Sequence, residues 1–114
     1  MSKADQLAER TFLFGVRALK FVRTLPRDPA ATELARQLGR AGPGVGANFR
    51  SARRGRSRAE FIARLAVAFD EADESQYWSS MAQATDLAAG AEIEWLIAES
   101  RELRSILSAA VATA

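Results

Sequence analysis

Leu38-Gly39-Arg40-Ala41-Gly42-Pro43-Gly44-Val45-Gly46-Ala47-Asn48-Phe49-Arg50 is the stretch on which the fold of this chain turns. Glycines at 39, 42, 44 and 46 around Pro43 ordinarily announce a loop. The apolar positions Leu34, Leu38, Ala41, Val45, Phe49 and Ala52 nevertheless keep one helical phase straight through it. At about 100° per residue, Arg36, Arg40, Arg50 and Arg54 share the opposite face. A loop has no reason to preserve two opposed stripes. The spacing therefore predicts one helix from about Pro29 to Arg54, kinked at Pro43, where the missing amide removes a hydrogen bond. Its glycines would let a neighbouring helix come close.

Working outward, Leu25-Pro26-Arg27-Asp28-Pro29 reads as a tight joint, with Asp28 as N-cap and Pro29 at the first helical position. Before it, Lys3 to Thr24 carries Leu7, Thr11, Phe14, Ala18, Phe21 and Leu25 at alternating steps of four and three, a bundle seam. Phe12, Leu19 and Val22 are expected to widen that seam, with Arg10, Arg17, Lys20, Arg23 and Arg27 mostly on the other side. Downstream, Gly55 is expected to end the second helix as a left-handed cap. Ser57-Arg58-Ala59-Glu60 then reads as a capping box that opens a third helix running to about Leu87. Phe61, Ile62, Leu65, Ala68, Phe69 and Ala72 form its apolar face. Beyond Ala72 that line turns polar through Ser75, Gln76, Ser79 and Gln83, while Tyr77, Trp78 and Met81 fall on the far side. The reading is a helix that changes its buried face, with Tyr77, Trp78 and Met81 at an oligomer interface. After the joint Leu87-Ala88-Ala89-Gly90, a fourth helix aligns Ile93, Leu96, Ile97, Ser100, Leu103, Leu107 and Val111. The expected fold is all-α, an antiparallel up-down four-helix bundle forming a single domain over residues 1–114.

Composition narrows the chemistry. There is no cysteine, so no disulfide, thiolate nucleophile or cysteine metal site exists. There is no histidine, which removes the usual general base and the commonest metal ligand. The serines at 57, 75, 79 and 80 have no base to activate them. Asp70, Glu71, Asp73 and Glu74 cluster without the histidines that carboxylate bundles use for iron. The expectation is a protein without catalytic residues, metal or cofactor. Met1 to Gln6 lacks an apolar signal core and no run approaches a membrane span, so a soluble cytoplasmic protein with no membrane partner is expected.

Charge is the informative feature. From Arg50 to Arg64 six arginines face the single acid Glu60, an excess of five in a chain whose net charge is +2. From Leu65 onward nine acids oppose Arg101 and Arg104, a deficit of seven. Such asymmetry points to a polyanionic partner or to head-to-tail pairing between copies. Arg50, Arg53, Arg54, Arg56 and Arg58 surround the corner between the second and third helices, where the amides opening the third helix would add anion affinity. Phe49 and Phe61, the aromatics nearest them, are both expected in the core, which favours phosphate contact over base stacking.

The run Leu38 to Arg50, closing in Val45-Gly46-Ala47-Asn48, is joined by Ser57, Glu60-Phe61-Ile62, Glu71, Glu74-Ser75 and Tyr77-Trp78, with Arg10-Thr11 and Leu25-Pro26 upstream. This ordered set resembles the four helix bundle protein family of bacterial 23S rRNA intervening sequences, to which accessory proteins of diversity-generating retroelements are related. Ser79-Ser80 and the acidic fourth helix depart from its pattern. The resemblance implies a homo-oligomeric ring, with a pentamer as the expected form. In retroelement relatives it implies basic surfaces that bind nucleic acid and a reverse transcriptase. At the family positions Glu71 and Glu74, carboxylates would pair with arginine on a neighbouring helix, Arg40 first among them. Arg40, Asn48, Glu71 and Glu74 are accordingly expected to form a structural polar network that fixes register.

The expected function is a non-catalytic homo-oligomer binding RNA or DNA backbone through the arginine corner, as an accessory to a larger protein. The alternative is a protein-only scaffold, in which that corner meets Glu92, Glu94, Glu99 or Glu102 on the fourth helix of a neighbouring copy.

Overall fold

Three of the four helices start on a side-chain cap. At α1 (Lys3–Val22), Ser2 Oγ accepts the Asp5 amide at 3.0 Å and the Asp5 carboxylate takes the Ser2 amide in return. At α2 (Pro29–Arg53), Asp28 Oδ1 accepts the Ala31 amide at 2.9 Å, with Pro29 placed where no amide is missed. At α3 (Arg58–Ala84), Ser57 Oγ accepts the Glu60 amide at 3.1 Å. The box expected there is only half formed, because the Glu60 carboxylate takes the amide of Arg56, at 3.4 Å. α4 (Ala91–Thr113) starts from Gly90, whose φ of 103° suits glycine, and has no side-chain cap. The structure, a computed structural model, describes all 114 residues.

α2 runs through Pro43 without interruption. All six apolar positions that keep phase across the glycines, from Leu34 to Ala52, are buried. The glycines serve close approach. A methyl group on Gly42 would lie 2.6 Å from the Ala18 Cβ of α1, and one on Gly15 would lie 3.0 Å from the Pro43 Cα. Two helices this close gain backbone contact along the whole seam.

Gly55 does not cap α2 in the left-handed region. Arg54 closes the helix at φ −103°, and the left-handed positions are Asp86 and Gly90. Gly55 is small for space, since a Cβ there would press on the Ala52 carbonyl at 3.1 Å and the Phe61 amide nitrogen at 3.2 Å.

Each helix packs on the next and α4 returns to α1, while the backbones of the diagonal pairs α1/α3 and α2/α4 do not approach closely. This is an up-down four-helix bundle of 44 × 24 × 20 Å with no strands. Phe14, Leu38, Leu65, Leu96, Leu103 and Leu107 fill its centre, each stabilising the fold by roughly 1.5–3 kcal/mol on burial.

The reading of α3 needs correction. Its buried line continues unchanged from Leu65, Ala68 and Ala72 through Ser75, Ser79 and Ala82. Serine occupies core positions because its hydroxyl can bond within the helix, as Ser75 Oγ does to the Glu71 carbonyl at 2.8 Å. Ser79 Oγ is buried without a partner. α1 departs in the opposite sense. Phe12, 72% exposed, and Leu19, 45% exposed, do not widen its seam but face outward.

Candidate nucleic-acid interface

The α2–α3 corner lies at the end of the bundle where the first turn of α1 and the last turn of α4 also arrive. Arg53 donates to Asp5 Oδ1 at 2.9 Å, and Arg58 donates to the carbonyl of Ala114. The Arg53 hydrogen bond, with help from Ser2, holds the Asp5 carboxyl below its ordinary range. Two of the five predicted arginines are therefore engaged within the chain. Arg50, Arg54 and Arg56 are exposed and have no salt bridge to any carboxylate of the chain. Arg64, nearly two turns into α3, is exposed and unbridged as well. The amides expected to attract anions are partly spent, on Ser57 Oγ and on the Glu60 carboxylate. What the corner offers a ligand is guanidinium.

The predicted polar network is only partly assembled. Arg40 and Glu74 approach to 4.0 Å at the surface, and Arg40 also donates to Gln37 Oε1 at 3.2 Å. Asn48 turns back on its own helix, donating to the Gly44 carbonyl at 2.8 Å. The Glu71 side chain lies across Gly44, where a Cβ would meet Oε2 at 2.7 Å, and this buried oxygen has no hydrogen-bond partner. Burial raises the Glu71 pKa above the ordinary value; Glu74 adds to the rise, Arg40 opposes it and Asp70 adds a little. Gly44 is thus a recess for a carboxyl that the family resemblance assigns to an arginine.

The predicted oligomer residues divide. Trp78 and Met81 are half-buried against the core of their own chain, while Tyr77 is 57% exposed and meets Trp78 edge-on at 5.1 Å. The acids of α4 divide too. Glu99 accepts two hydrogen bonds from Arg10, at 2.7 and 2.8 Å, and Glu92 two from Arg17, at 3.1 and 2.9 Å. Arg17 also stacks over Trp95 at 3.5 Å from the ring centre. These hydrogen bonds raise the pKa of both arginines, and the one from Arg17 lowers that of Glu92. Glu94 and Glu102 remain exposed.

Sequence reasoning missed a groove between α1 and α2. It has a volume of about 450 Å³ and is walled by Phe12, Val16 and Leu19, with Gly46 and Ala47 below and Arg50 at the rim. The spacing of Phe12 and Leu19, seven residues apart and off the Leu7–Phe14–Phe21 line, was the available signal. No helix is long and apolar enough to cross a membrane.

A search of curated proteins gives no match. Among solved structures, the chain is similar to a protein of unknown function from the S23 ribosomal protein family of Bacteroides thetaiotaomicron VPI-5482. The two are 27% identical, with 97% of this chain and 99% of that one covered at a TM-score of 0.88. Residues 4–109 match the family described as 23S rRNA-intervening sequence protein. With nearly the whole bundle covered by that match, the chain belongs to the 23S rRNA-intervening sequence protein family.

Proposed function

We propose that this protein is a non-catalytic, homo-oligomeric helical bundle, ring-like and pentameric, that holds nucleic-acid backbone at its α2–α3 corner as an accessory to a larger protein. The observation that carries the nucleic-acid reading is the set of exposed, unbridged arginines Arg50, Arg54 and Arg56 on one corner. Each presents a planar fork suited to two phosphate oxygens. The name of the family to which the chain belongs, 23S rRNA-intervening sequence protein, fits a nucleic-acid context. A protein-only scaffold built on the acids of α4 is less favoured, because Glu92 and Glu99 already pair with Arg17 and Arg10.

The test is binding of duplex and single-stranded RNA and DNA across a salt series. Affinity for duplex DNA is expected to fall with a log–log slope of about −0.9 per phosphate contacted. The double change Arg54→Gln and Arg56→Gln is expected to flatten that slope by about 1.8 and to weaken every sequence alike. No binding at low salt, or an unchanged slope in the double variant, overturns the reading.

A further inference from the structure

We propose that the α1–α2 groove is a docking site for the outward face of α3 from a second copy of this chain, with Tyr77 entering the groove and Asp70 meeting Arg50. This rests on the homo-oligomer part of the reading above; it assigns Arg50 to the assembly and leaves the nucleic-acid part to Arg54 and Arg56.

The groove is a consequence of the close α1–α2 seam. Glycine on the facing surfaces brings the two backbones together, and the valley outside them is left with no side chain to fill it. Its wall carries the most exposed aromatic of the chain, Phe12, beside Leu19 and Val16. An apolar wall of this kind rimmed by a cation marks a binding surface. The partner surface is on α3. Tyr77 stands 57% exposed, its ring edge-on to that of Trp78 at 5.1 Å.

Charge selects the occupant. Arg50 at the groove rim has no carboxylate partner in its own chain. Asp70 lies two turns before Tyr77 on the same exposed face and has no cation partner, unlike its neighbour Asp73, which Arg104 holds at 2.9 Å. Each surface thus pairs an exposed aromatic with one unneutralised charge, and the two charges are opposite. A nucleic acid could satisfy Arg50 but would leave Tyr77 and Asp70 facing solvent.

Topology fixes the kind of assembly. α1 and α3 are diagonal in the bundle, with no close approach of their backbones, so groove and knob lie on different faces and one copy cannot close on itself. The contact is heterologous: each copy offers its knob to one neighbour and its groove to another. The groove lies over the α1–α2 edge and the knob on the α3 corner, so the two are not diametrically opposed. Successive copies therefore turn, and such a contact closes into a ring where the rotation divides a full circle and runs on as a helical filament where it does not.

The experiment uses the full chain and reads mass by light scattering, with far-UV circular dichroism to check folding. Phe12→Arg blocks the groove and leaves the knob; Tyr77→Arg blocks the knob and leaves the groove. Each variant alone is expected to be a monomer, and an equal mixture of the two is expected to form a dimer and nothing larger. Because both residues are exposed, neither change empties the core. Independently, Arg50→Asp and Asp70→Arg are each expected to weaken assembly by about tenfold, and the two together to restore it. A wild-type monomer, or a Phe12→Arg variant that keeps the wild-type mass, overturns the proposal. So does loss of assembly in Phe12→Arg with none in Tyr77→Arg, which assigns the groove to another occupant. A Phe12→Arg variant that keeps its mass but loses single-strand binding assigns the groove to bases instead. Arg54 and Arg56 take no part in this contact, so failure here leaves the nucleic-acid test standing, and the reverse.

Discussion

Gly39→Ala and Gly42→Ala, three residues apart in α2, are expected to move stability in opposite directions. A methyl on Gly39 would lie 3.8 Å from Val22 Cγ2 and 3.9 Å from Leu19 Cδ2, ordinary contact distances. Only the backbone term remains there, and alanine is better than glycine inside a helix by about 0.8–1.0 kcal/mol. Gly42 is different. Its added methyl would stand 2.6 Å from the Ala18 Cβ, and Ala18 is fully buried with no rotamer into which to retreat. Carbon atoms rest at about 3.5–4.0 Å, so α1 and α2 must part by about 1 Å, and the Gly15–Pro43 contact is the next to open. Overpacking costs about 1–3 kcal/mol; against a rigid partner the upper end applies. Subtracting the helix-propensity gain of about 1 kcal/mol leaves a net loss of about 2 kcal/mol. At about 4 °C per kcal/mol, Gly39→Ala raises the midpoint of thermal unfolding by about 4 °C and Gly42→Ala lowers it by about 8 °C. The assay is paired thermal and urea unfolding at one protein concentration, because the proposed assembly would make apparent stability depend on concentration. A Gly42→Ala variant as stable as the parent, or a destabilised Gly39→Ala, would refute the close α1–α2 seam.

Ser79→Ala removes a buried hydroxyl that has no partner and is expected to stabilise by about 1 kcal/mol in urea unfolding; Ser75→Ala, which loses the bond to the Glu71 carbonyl, is expected to gain less. Glu71 has its folded pKa raised by burial, so its contribution to stability is full below the unfolded carboxylate range and is lost as pH rises through the folded value. Glu71→Gln is therefore expected to raise the unfolding midpoint at neutral pH, with the gain vanishing on acidification; a gain that is independent of pH would contradict the buried-carboxylate account.

Local pattern and long-range contact were unequally legible. The α2 stripe could be read because six apolar residues hold phase across Gly39 to Gly46, and a helix is the only backbone in which that phase has meaning. Asp28-Pro29 was legible because capping is a matter of adjacent residues. Phe12 and Leu19 were misassigned because hydrophobicity marks a surface for burial without saying whether the cover comes from the same chain. Ser75 misled because a hydroxyl that bonds its own helix can occupy a core position, and Ser79 because so small a side chain fits there even with its hydroxyl unpaired. The Arg10–Glu99 and Arg17–Glu92 pairs span 89 and 75 residues, and no periodicity within one helix registers them.

Those two pairs change the meaning of the charge asymmetry in the sequence. The acidic second half looks like a free counterpart to the arginine corner, yet α1 neutralises two of the α4 acids and α4 itself supplies Arg104 to Asp73. Among the charges left unneutralised, Arg54 and Arg56 stand at the corner, Arg50 at the groove and Asp70 on the outward face of α3. The first pair can act only through charge, since no exposed aromatic lies at the corner itself, whereas Arg50 and Asp70 each accompany an exposed ring. Salt therefore separates the two proposed activities. Counterion release makes phosphate binding fall steeply with ionic strength, while a contact between Tyr77 and the Phe12 wall rests mainly on apolar burial and is screened only at its rim. Assembly that persists at a salt concentration where nucleic acid has been released is the behaviour this sorting of charges requires; loss of both at the same salt would mean that a single arginine surface serves both purposes.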